Sequence, residues 1–145
     1  MTDHAFEPEV EYPADGFTLF PDRSVVALRV NGELRDLATR VEAMDAVEPV
    51  AIDSPDGLDI LRHSTAHVLA QAVQRIAPQT NLGIGPPIAD GFYYDFGAEH
   101  PFTPEDLKAI EKEMQRIVRE GQRFVRRVVT DDEACIELAH EPFKL

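Results

Sequence analysis

The sequence has no tryptophan, a single cysteine and no apolar run long enough to span a membrane. One cysteine, Cys135, excludes an internal disulfide framework and fits a reducing compartment. Residues 1–16 are acidic and lack the basic start and apolar core of a signal peptide. They also lack the arginines of an organellar transit peptide. These absences exclude the class of disulfide-rich secreted domains, predict no contact with a membrane, and predict a cytoplasmic location.

Basic residues are scarce as well, because 14 lysines and arginines stand against 27 acids and give a formal net charge of −13. Residues 1–59 hold 14 acids and 4 arginines and should repel a phosphate backbone. Residues 60–145 are more balanced, with 13 acids and 10 bases. Five arginines of this second half form the one place where tRNA or another nucleic acid would be attracted, unless they only solvate a helix end. They are Arg116, Arg119, Arg123, Arg126 and Arg127.

The 145 residues suffice for one ordinary domain or two small ones, and the first half predicts a small sheet. A β-branched run at 24–30 is followed by Asn31-Gly32, the strongest short hairpin signal, and by a strand that ends near Leu37. Residues 45–52 alternate like a last strand, with Pro49 at an edge. The prediction is completed by an acidic arm over residues 1–15 with at most one short strand at 10–12, a helical turn or a loop at 18–20, and a helical turn at 37–41.

The second half is organised around residues 58–76 (LDILRHSTAHVLAQAVQRI), which repeat apolar side chains at helical spacing after the start signal at 54–57 and before Pro78. His63 and His67 fall nearly opposite the apolar side, near Ala70, on a face without lysine or glutamate. Because a face meant only for water is usually charged, we expect the histidines to face a cleft or a second packed layer. The predicted core face is Leu61, Thr65, Val68, Leu69, Ala72, Val73 and Ile76.

The spacing of His63 and His67 points both imidazoles the same way, with their Cβ atoms about 5–6 Å apart. Such a pair suits a shared water molecule or a shared metal ion, for which zinc is the candidate. Two histidines are fewer than the three or four protein ligands that zinc usually takes. The alternative is a pair of hydrogen-bonded helix histidines with no ligand.

Further along, residues 84–96 predict a strand pair with a turn at Asp90-Gly91. Thr103 caps a helix that Gly121 ends, residues 124–129 predict a strand, and residues 134–139 predict a short last helix. The buried stripe of the Thr103 helix is expected to be Leu107, Ile110, Met114, Ile117 and Val118. The fold class is therefore α+β.

Four segments in this order and spacing resemble the N-terminal region of bacterial threonyl-tRNA synthetases. They are residues 63–67 (HSTAH), 83–88 (GIGPPI), 91–96 (GFYYDF) and 102–107 (FTPEDL). The resemblance implies that residues 57–145 form the first part of the editing domain that this family shares with alanyl-tRNA synthetases. Residues 16–53 are similar to a TGS module, a ubiquitin-like β-grasp, in abbreviated form because few residues precede the first strand.

In that family the editing domain hydrolyses seryl-tRNA made in error, so tRNA(Thr) is the implied partner. Carried over by match, His63 and His67 would hold and polarise the attacking water or the terminal ribose. Tyr94 would line the pocket and could offer its hydroxyl. These three are the catalytic residues that the resemblance implies.

The sequence also departs from the family. The family's editing site takes a further cysteine and histidine from a later CxxxH motif, whereas Cys135 and His140 are spaced CxxxxH and lie earlier. The aminoacylation and anticodon-binding domains are not in this sequence, so we expect no threonine ligation by this chain alone. Alternatives to an editing region of a synthetase are a freestanding deacylase and a non-catalytic module that binds a protein partner or the remaining synthetase domains.

Overall fold

A computed structural model describes residues 10–144 of the chain. The described residues divide into two compact α+β units, with the boundary between Leu61 and Arg62. Within residues 10–144, no helix is long and apolar enough to cross a membrane. We call residues 10–61 the first unit and residues 62–144 the second unit.

The first unit is built on a small antiparallel sheet. A single helical turn precedes three strands. The elements are α1 (Gly16–Leu19), β1 (Val25–Val30), β2 (Glu33–Arg35) and β3 (Val47–Ala51). The spatial order of the strands is β2-β1-β3, and Pro49 lies on the edge strand β3, as its lack of an N–H donor requires.

The predicted hairpin is confirmed, and its turn explains the sequence. Asn31 and Gly32 have φ values of 50° and 85°, the left-handed conformations that a two-residue hairpin turn needs. The Asn31 side chain also accepts a hydrogen bond from the Ala46 amide at 2.9 Å and donates to Asp45 at 2.8 Å. Asn31 therefore sets the turn and fixes the chain that leads into β3.

One prediction for the first unit is wrong. Residues 10–12 form no strand, which the prediction of at most one allowed, and Ala14 makes an isolated bridge to Val41. The helical turn expected at 37–41 is a hydrogen-bonded turn that starts at Asp36, whose carboxylate accepts from the Ala38 amide at 2.8 Å. This side-chain hydrogen bond competes with helix formation. The buried apolar residues of the unit are Ala14, Ala27, Leu28, Val41 and Val50.

The long helix α2 (Pro55–Ile76) begins and ends as the sequence predicts. The Ser54 hydroxyl accepts a hydrogen bond from the Gly57 amide at 3.1 Å, and Pro55 occupies the first turn, where its missing N–H has no cost. The predicted core face is confirmed in part, since Ala72 and Val73 are buried. Its two ends are wrong, because Leu61 and Ile76 are exposed, and the buried Ala66 and Ala70 were not predicted.

The second unit adds two helices with complete caps. Thr103 and Thr130 each accept a hydrogen bond from the third helical amide, and the acid at that position bonds back to the cap. Gly121 ends the first of these helices with a φ of 61°. The helices are α3 (Pro104–Glu120) and α4 (Asp131–Glu137).

Between α2 and α3 the predicted strand pair becomes two short ladders, because Pro86 and Pro87 lack donors for continuous pairing. The outer ladder pairs β4 (Asn81–Leu82) with β7 (Phe96–Gly97). The inner ladder pairs β5 (Pro87–Ile88) with β6 (Gly91–Phe92). Ala89 and Asp90 form the connecting turn, one residue earlier than predicted, and Gly91 belongs to a strand.

The core of the second unit lies between α2 and α3. Val73 and Ile117 are at its centre with Ala72 and Ile110, and partly buried side chains including Phe96 pack against them. Arg75 of α2 bonds Glu120 of α3 at 2.7 and 2.9 Å, and this guanidinium lowers the pKa of Glu120 to about 2. Leu107 and Val118, predicted in the buried stripe, are exposed.

The strand predicted at 124–129 is wrong. Residues 122–130 have no regular structure, and all of them are exposed, Phe124 at 68% and Val125 at 83%. Among the described residues no strand pairs with this segment. A β-branched sequence favours a strand mainly through packing on a pleated surface, and this segment has no such surface to pack on. We call residues 124–129 the apolar segment.

Candidate functional site

The two helix histidines lie together on α2, as their spacing predicts. Their rings stack with 4.9 Å between centroids and 21° between planes. Both residues are exposed on the surface of the second unit rather than covered by a packed layer. The pair therefore presents two imidazole edges side by side to whatever approaches this face.

His67 has the more enclosed position of the two. The Phe124 ring meets it edge-on at 6.5 Å, and Gln122 bonds Gln71 of α2 at 3.2 Å. These residues line a small cavity of about 90 Å³. The expected cleft is thus present at His67, in shallow form.

Although His67 is exposed, partial desolvation beside Phe124 is the largest cause that lowers its pKa, and the positive charges of His63 and Lys144 lower it further. All three effects disfavour the imidazolium. His67 is therefore biased toward the neutral form, in which one ring nitrogen accepts a hydrogen bond or a proton. This is the protonation state that a general base requires.

Tyr94 lies between the two ladders, where glycine makes room for its ring. A Cβ atom at Gly85 would stand 2.1 Å from Tyr94 Cδ2, so only glycine fits beneath the phenol. On the other side the ring stacks on Phe96, with 4.8 Å between centroids. The GIGPPI and GFYYDF segments therefore meet in one built surface that fixes the Tyr94 side chain.

Lys144 is the residue that the sequence analysis missed. Its Nζ donates to the Gly83 carbonyl, lies 3.5 Å from the Tyr94 hydroxyl and is 5.7 Å from the centre of the Tyr94 ring. Its positive charge also contributes to the lowered pKa of His67. No local motif marks a lysine that lies 50 residues from Tyr94, and only the fold brings the two together.

All five arginines are exposed, but their surroundings differ. Arg116 pairs with Glu113 at 3.2 Å, and Arg127 pairs with Glu137 at 2.7 Å. Arg123 lines the small cavity beside His67. The five arginines therefore extend from the exposed side of α3 into residues 122–130, where Arg123 and Phe124 line the cavity beside His67.

A larger cavity of about 220 Å³ lies elsewhere in the second unit, near the end of α2. Its wall is formed by Val73, Thr80, His100, Phe102 and other residues of that region. None of the predicted catalytic residues lines it. Size alone therefore does not identify the candidate site.

The described residues do not supply a zinc site around His63 and His67. Among residues 10–144 no group of three or more histidine, cysteine, aspartate or glutamate side chains could hold a metal ion. Since zinc takes three or four protein ligands, the pair by itself does not fit that ion.

Comparison with known proteins gives a consistent result. The chain is 74% identical over 136 residues to a threonine–tRNA ligase of Leifsonia xyli subsp. xyli, covering 94% of this chain and 20% of that protein. Identity to the threonine–tRNA ligase of Streptomyces avermitilis is 67% over 128 residues, and to that of Bifidobacterium longum 54% over 138 residues. No protein-family profile matches the chain.

The chain spans about a fifth of the length of these curated relatives. The sequence is therefore similar to part of an aminoacyl-tRNA synthetase. Among these enzymes it matches the N-terminal region of threonine–tRNA ligases. The resemblance seen in the sequence is confirmed.

Proposed function

We propose that the second unit carries part of a hydrolytic editing site that removes serine from tRNA(Thr) for a threonyl-tRNA synthetase. The observation that carries this proposal is the stacked His63/His67 pair, with Tyr94 and Lys144 in contact with each other in the same unit. The family relationship supplies the substrate, because the relatives are named threonine–tRNA ligases.

A hydrolytic site in addition to the aminoacylation site makes physical sense for this family. Threonine and serine differ by one methyl group, and a pocket gains only about 1–3 kcal/mol from a difference of that size. Binding alone therefore discriminates poorly, and hydrolysis of the wrong ester restores accuracy. The ester that links an amino acid to tRNA is activated, so a positioned water and a few polar groups suffice to cleave it.

In the proposed reaction neutral His67 accepts a proton from water as the water oxygen attacks the ester carbonyl carbon. His63, stacked beside it, orients the water or the terminal ribose. The carbon–oxygen bond to the ribose then breaks, the proton returns to the departing ribose oxygen, and free serine and tRNA remain. The Lys144 ammonium and the Tyr94 hydroxyl are donors that stabilise negative charge on the carbonyl oxygen.

We also propose the domain assignment that the resemblance implies. Residues 57–145 are the first part of the threonyl/alanyl-tRNA synthetase editing domain, and residues 16–53 are an abbreviated TGS-like β-grasp. The three-stranded sheet of the first unit supports a small β-grasp. The histidine helix with its two ladders supports the editing assignment.

For tRNA, the proposed contact is the exposed arginine stretch from Arg116 to Arg127. Arg123 is the member nearest the proposed chemistry, because it lines the cavity with His67. Phosphate contacts from these side chains would position the acceptor end without reading its sequence.

The exposed apolar segment favours a second candidate, a binding module that contributes contacts but no chemistry. Phe124, Val125 and Val128 together expose more apolar surface than an isolated side chain would. Under this alternative the remainder of a synthetase, or another protein, covers the segment. A freestanding deacylase is the third alternative, and it would need its own source of the missing cysteine and histidine.

The test is NMR mapping of the chain with a tRNA acceptor-stem minihelix whose terminal serine is attached by an amide in place of the ester. Because the amide is not cleaved, the ligand stays bound whether or not the chain is active. We expect shifts at His63, His67, Tyr94 and Lys144 from the serine end and at Arg123 from the phosphates.

The control ligand is the same minihelix without serine. The arginine shifts should remain with it, whereas the His63 and His67 shifts should shrink. Shifts confined to the apolar segment, or none in the second unit at saturating ligand, would overturn the editing proposal.

A further inference from the structure

Glu141 is the only charged side chain that is buried among residues 10–144, at 6% exposed. It lies just after α4, in a stretch whose neighbours are exposed. Taking a carboxylate out of water is expensive unless its oxygens are hydrogen bonded. The hydrogen bonds of the Glu141 carboxylate therefore indicate its structural role.

Its two oxygens bond two different parts of the second unit. Oε1 accepts from Gln74 Nε2 of α2 at 2.5 Å, and Oε2 accepts from the Leu82 amide of β4 at 2.9 Å. Both donors are neutral, and they lie on two different elements, α2 and β4. Glu141 thus attaches the chain after α4 to the histidine helix and to the first ladder.

The same residue begins the turn that ends at Lys144. The Glu141 amide donates to the Leu138 carbonyl at 2.8 Å, and the Lys144 amide donates to the Glu141 carbonyl at 2.9 Å. Lys144 Nζ then bonds the carbonyl of Gly83, the residue that follows Leu82. The two ends of this short turn therefore bind Leu82, the last residue of β4, and Gly83, which follows it.

Phe143 fits this arrangement because Gly97 has no side chain. A Cβ atom at Gly97 would stand 3.0 Å from Phe143 Cε2. The turn therefore lies close against the outer ladder, and the exposed Lys144 side chain reaches Tyr94.

We propose that Glu141, held by Gln74, is a positioning residue that fixes the Lys144 ammonium against Tyr94 at the candidate site. The catalytic meaning of this arrangement rests on the proposed editing function, while the positioning itself does not. An apolar residue could fill the space at lower cost, but it could not bond Gln74 and Leu82 at once and so define where the turn lies.

The first arm of the test is NMR on the whole chain with labelled lysine. A lysine over an aromatic face has side-chain protons shifted by the ring, so Lys144 should have a signature that the other lysines lack. Glu141→Ala should move that signature to the value of an exposed lysine. The Leu82 amide should also exchange faster, by about tenfold or more.

Glu141→Gln is the conservative variant, and it separates geometry from charge. A glutamine oxygen can accept from the Leu82 amide, and Gln74 can turn its own amide to accept from the new NH₂ group. We expect the Lys144 signature to persist in this variant. Glu137→Ala is the matched control, because Glu137 is an exposed glutamate of α4 whose partner is Arg127.

The second arm measures hydrolysis of seryl-tRNA(Thr) by a hybrid in which this chain replaces the matching region of the Leifsonia xyli threonine–tRNA ligase. Glu141→Ala should lower kcat by about ten- to a hundredfold, the loss typical when a partner that orients a functional group is removed, with KM little changed. In a Lys144→Met background the same change should have no further effect, because the two residues act through one group.

An unchanged Lys144 signature in folded Glu141→Ala would overturn the inference. If that variant does not fold, Gln74→Ala decides in its place, since it removes one donor only, and an unchanged signature there would equally overturn it. Loss of the signature without hydrolysis by any form would contradict the editing proposal and leave the positioning role standing. Hydrolysis that is insensitive to Glu141→Ala would contradict the positioning role alone.

Discussion

His63 and His67 stack one helical turn apart, with 4.9 Å between their ring centroids. At this separation two imidazolium ions repel each other, so charging one ring disfavours charging the other. Together with the burial of His67 and the charge of Lys144, this keeps His67 neutral at lower pH than usual. The relationship links the packing of one helix face to the chemistry proposed for it.

The first prediction concerns the pKa of His67, which should lie below its ordinary value of 6.5. Lys144→Met should raise this pKa only part of the way, because burial is the largest cause of the shift and His63 the second. The measurement is an NMR titration of the imidazole protons. Lys112→Met, an exposed change on α3, should leave the His67 titration where it was.

The sign of the effect on stability follows from proton uptake. Below pH 6.5 the unfolded chain protonates His67 while the folded chain does not, so unfolding takes up a proton. The His67 contribution is therefore present above the ordinary pKa and is lost as the pH falls toward the lowered one. A His67 titration at or above 6.5 would contradict the site geometry.

The sequence predicted much of this structure because local rules govern much of it. Asn31-Gly32 strongly favours a two-residue hairpin turn, because both residues tolerate positive φ. Thr103 and Thr130 are helix caps whose hydrogen-bond partners lie three residues further along the chain. The histidine spacing likewise fixed the relative position of the two rings. In each case the physics that decides the outcome lies within one turn or one hairpin.

Predictions failed where distant packing decides. The strand expected at 124–129 has no neighbour among the described residues, and the helix periodicity of α2 could not show that Ala66 and Ala70 would be buried in place of Leu61 and Ile76. No motif or spacing in the sequence indicated a role for Lys144 or for the buried Glu141. Their roles depend on contacts across about 60 residues of chain.

The second prediction tests the observed face of α2. Val73 is 1% exposed at the centre of the core, so Val73→Ala should lower the free energy of unfolding by about 2 kcal/mol through lost burial and a cavity. Ile76, on the face that the sequence predicted as buried, is 44% exposed. Ile76→Ala should change stability by no more than about 0.5 kcal/mol.

Denaturant unfolding of the two variants beside the wild-type chain is the measurement. Equal losses at the two positions would mean that Ile76, which the sequence placed on the core face together with Val73, is buried in solution.

The third prediction concerns the apolar segment. The native chain should bind a fluorescent dye that reports exposed hydrophobic surface, because Phe124, Val125 and Val128 are open to solvent. Val125→Thr with Val128→Thr should reduce dye binding without loss of stability. Met44→Thr, which removes a fully exposed side chain of the first unit, is the control and should change dye binding little. Monomeric wild-type chain with no dye signal would count against an uncovered apolar surface.

The central claim is tested most directly by the rate of serine release from seryl-tRNA(Thr). The measurement uses a hybrid in which this chain replaces the matching region of the Leifsonia xyli threonine–tRNA ligase, to which it is 74% identical. Ligation of threonine to tRNA serves as the control for folding, and the chain alone is measured in parallel to test the freestanding alternative.

The account predicts that the hybrid releases serine faster than it releases threonine. The His63→Ala/His67→Ala double variant should lose serine release by about a hundredfold or more and keep threonine ligation. A double variant that hydrolyses seryl-tRNA as fast as the unmodified hybrid would contradict the account, and the second unit would then be a binding module rather than part of an editing site.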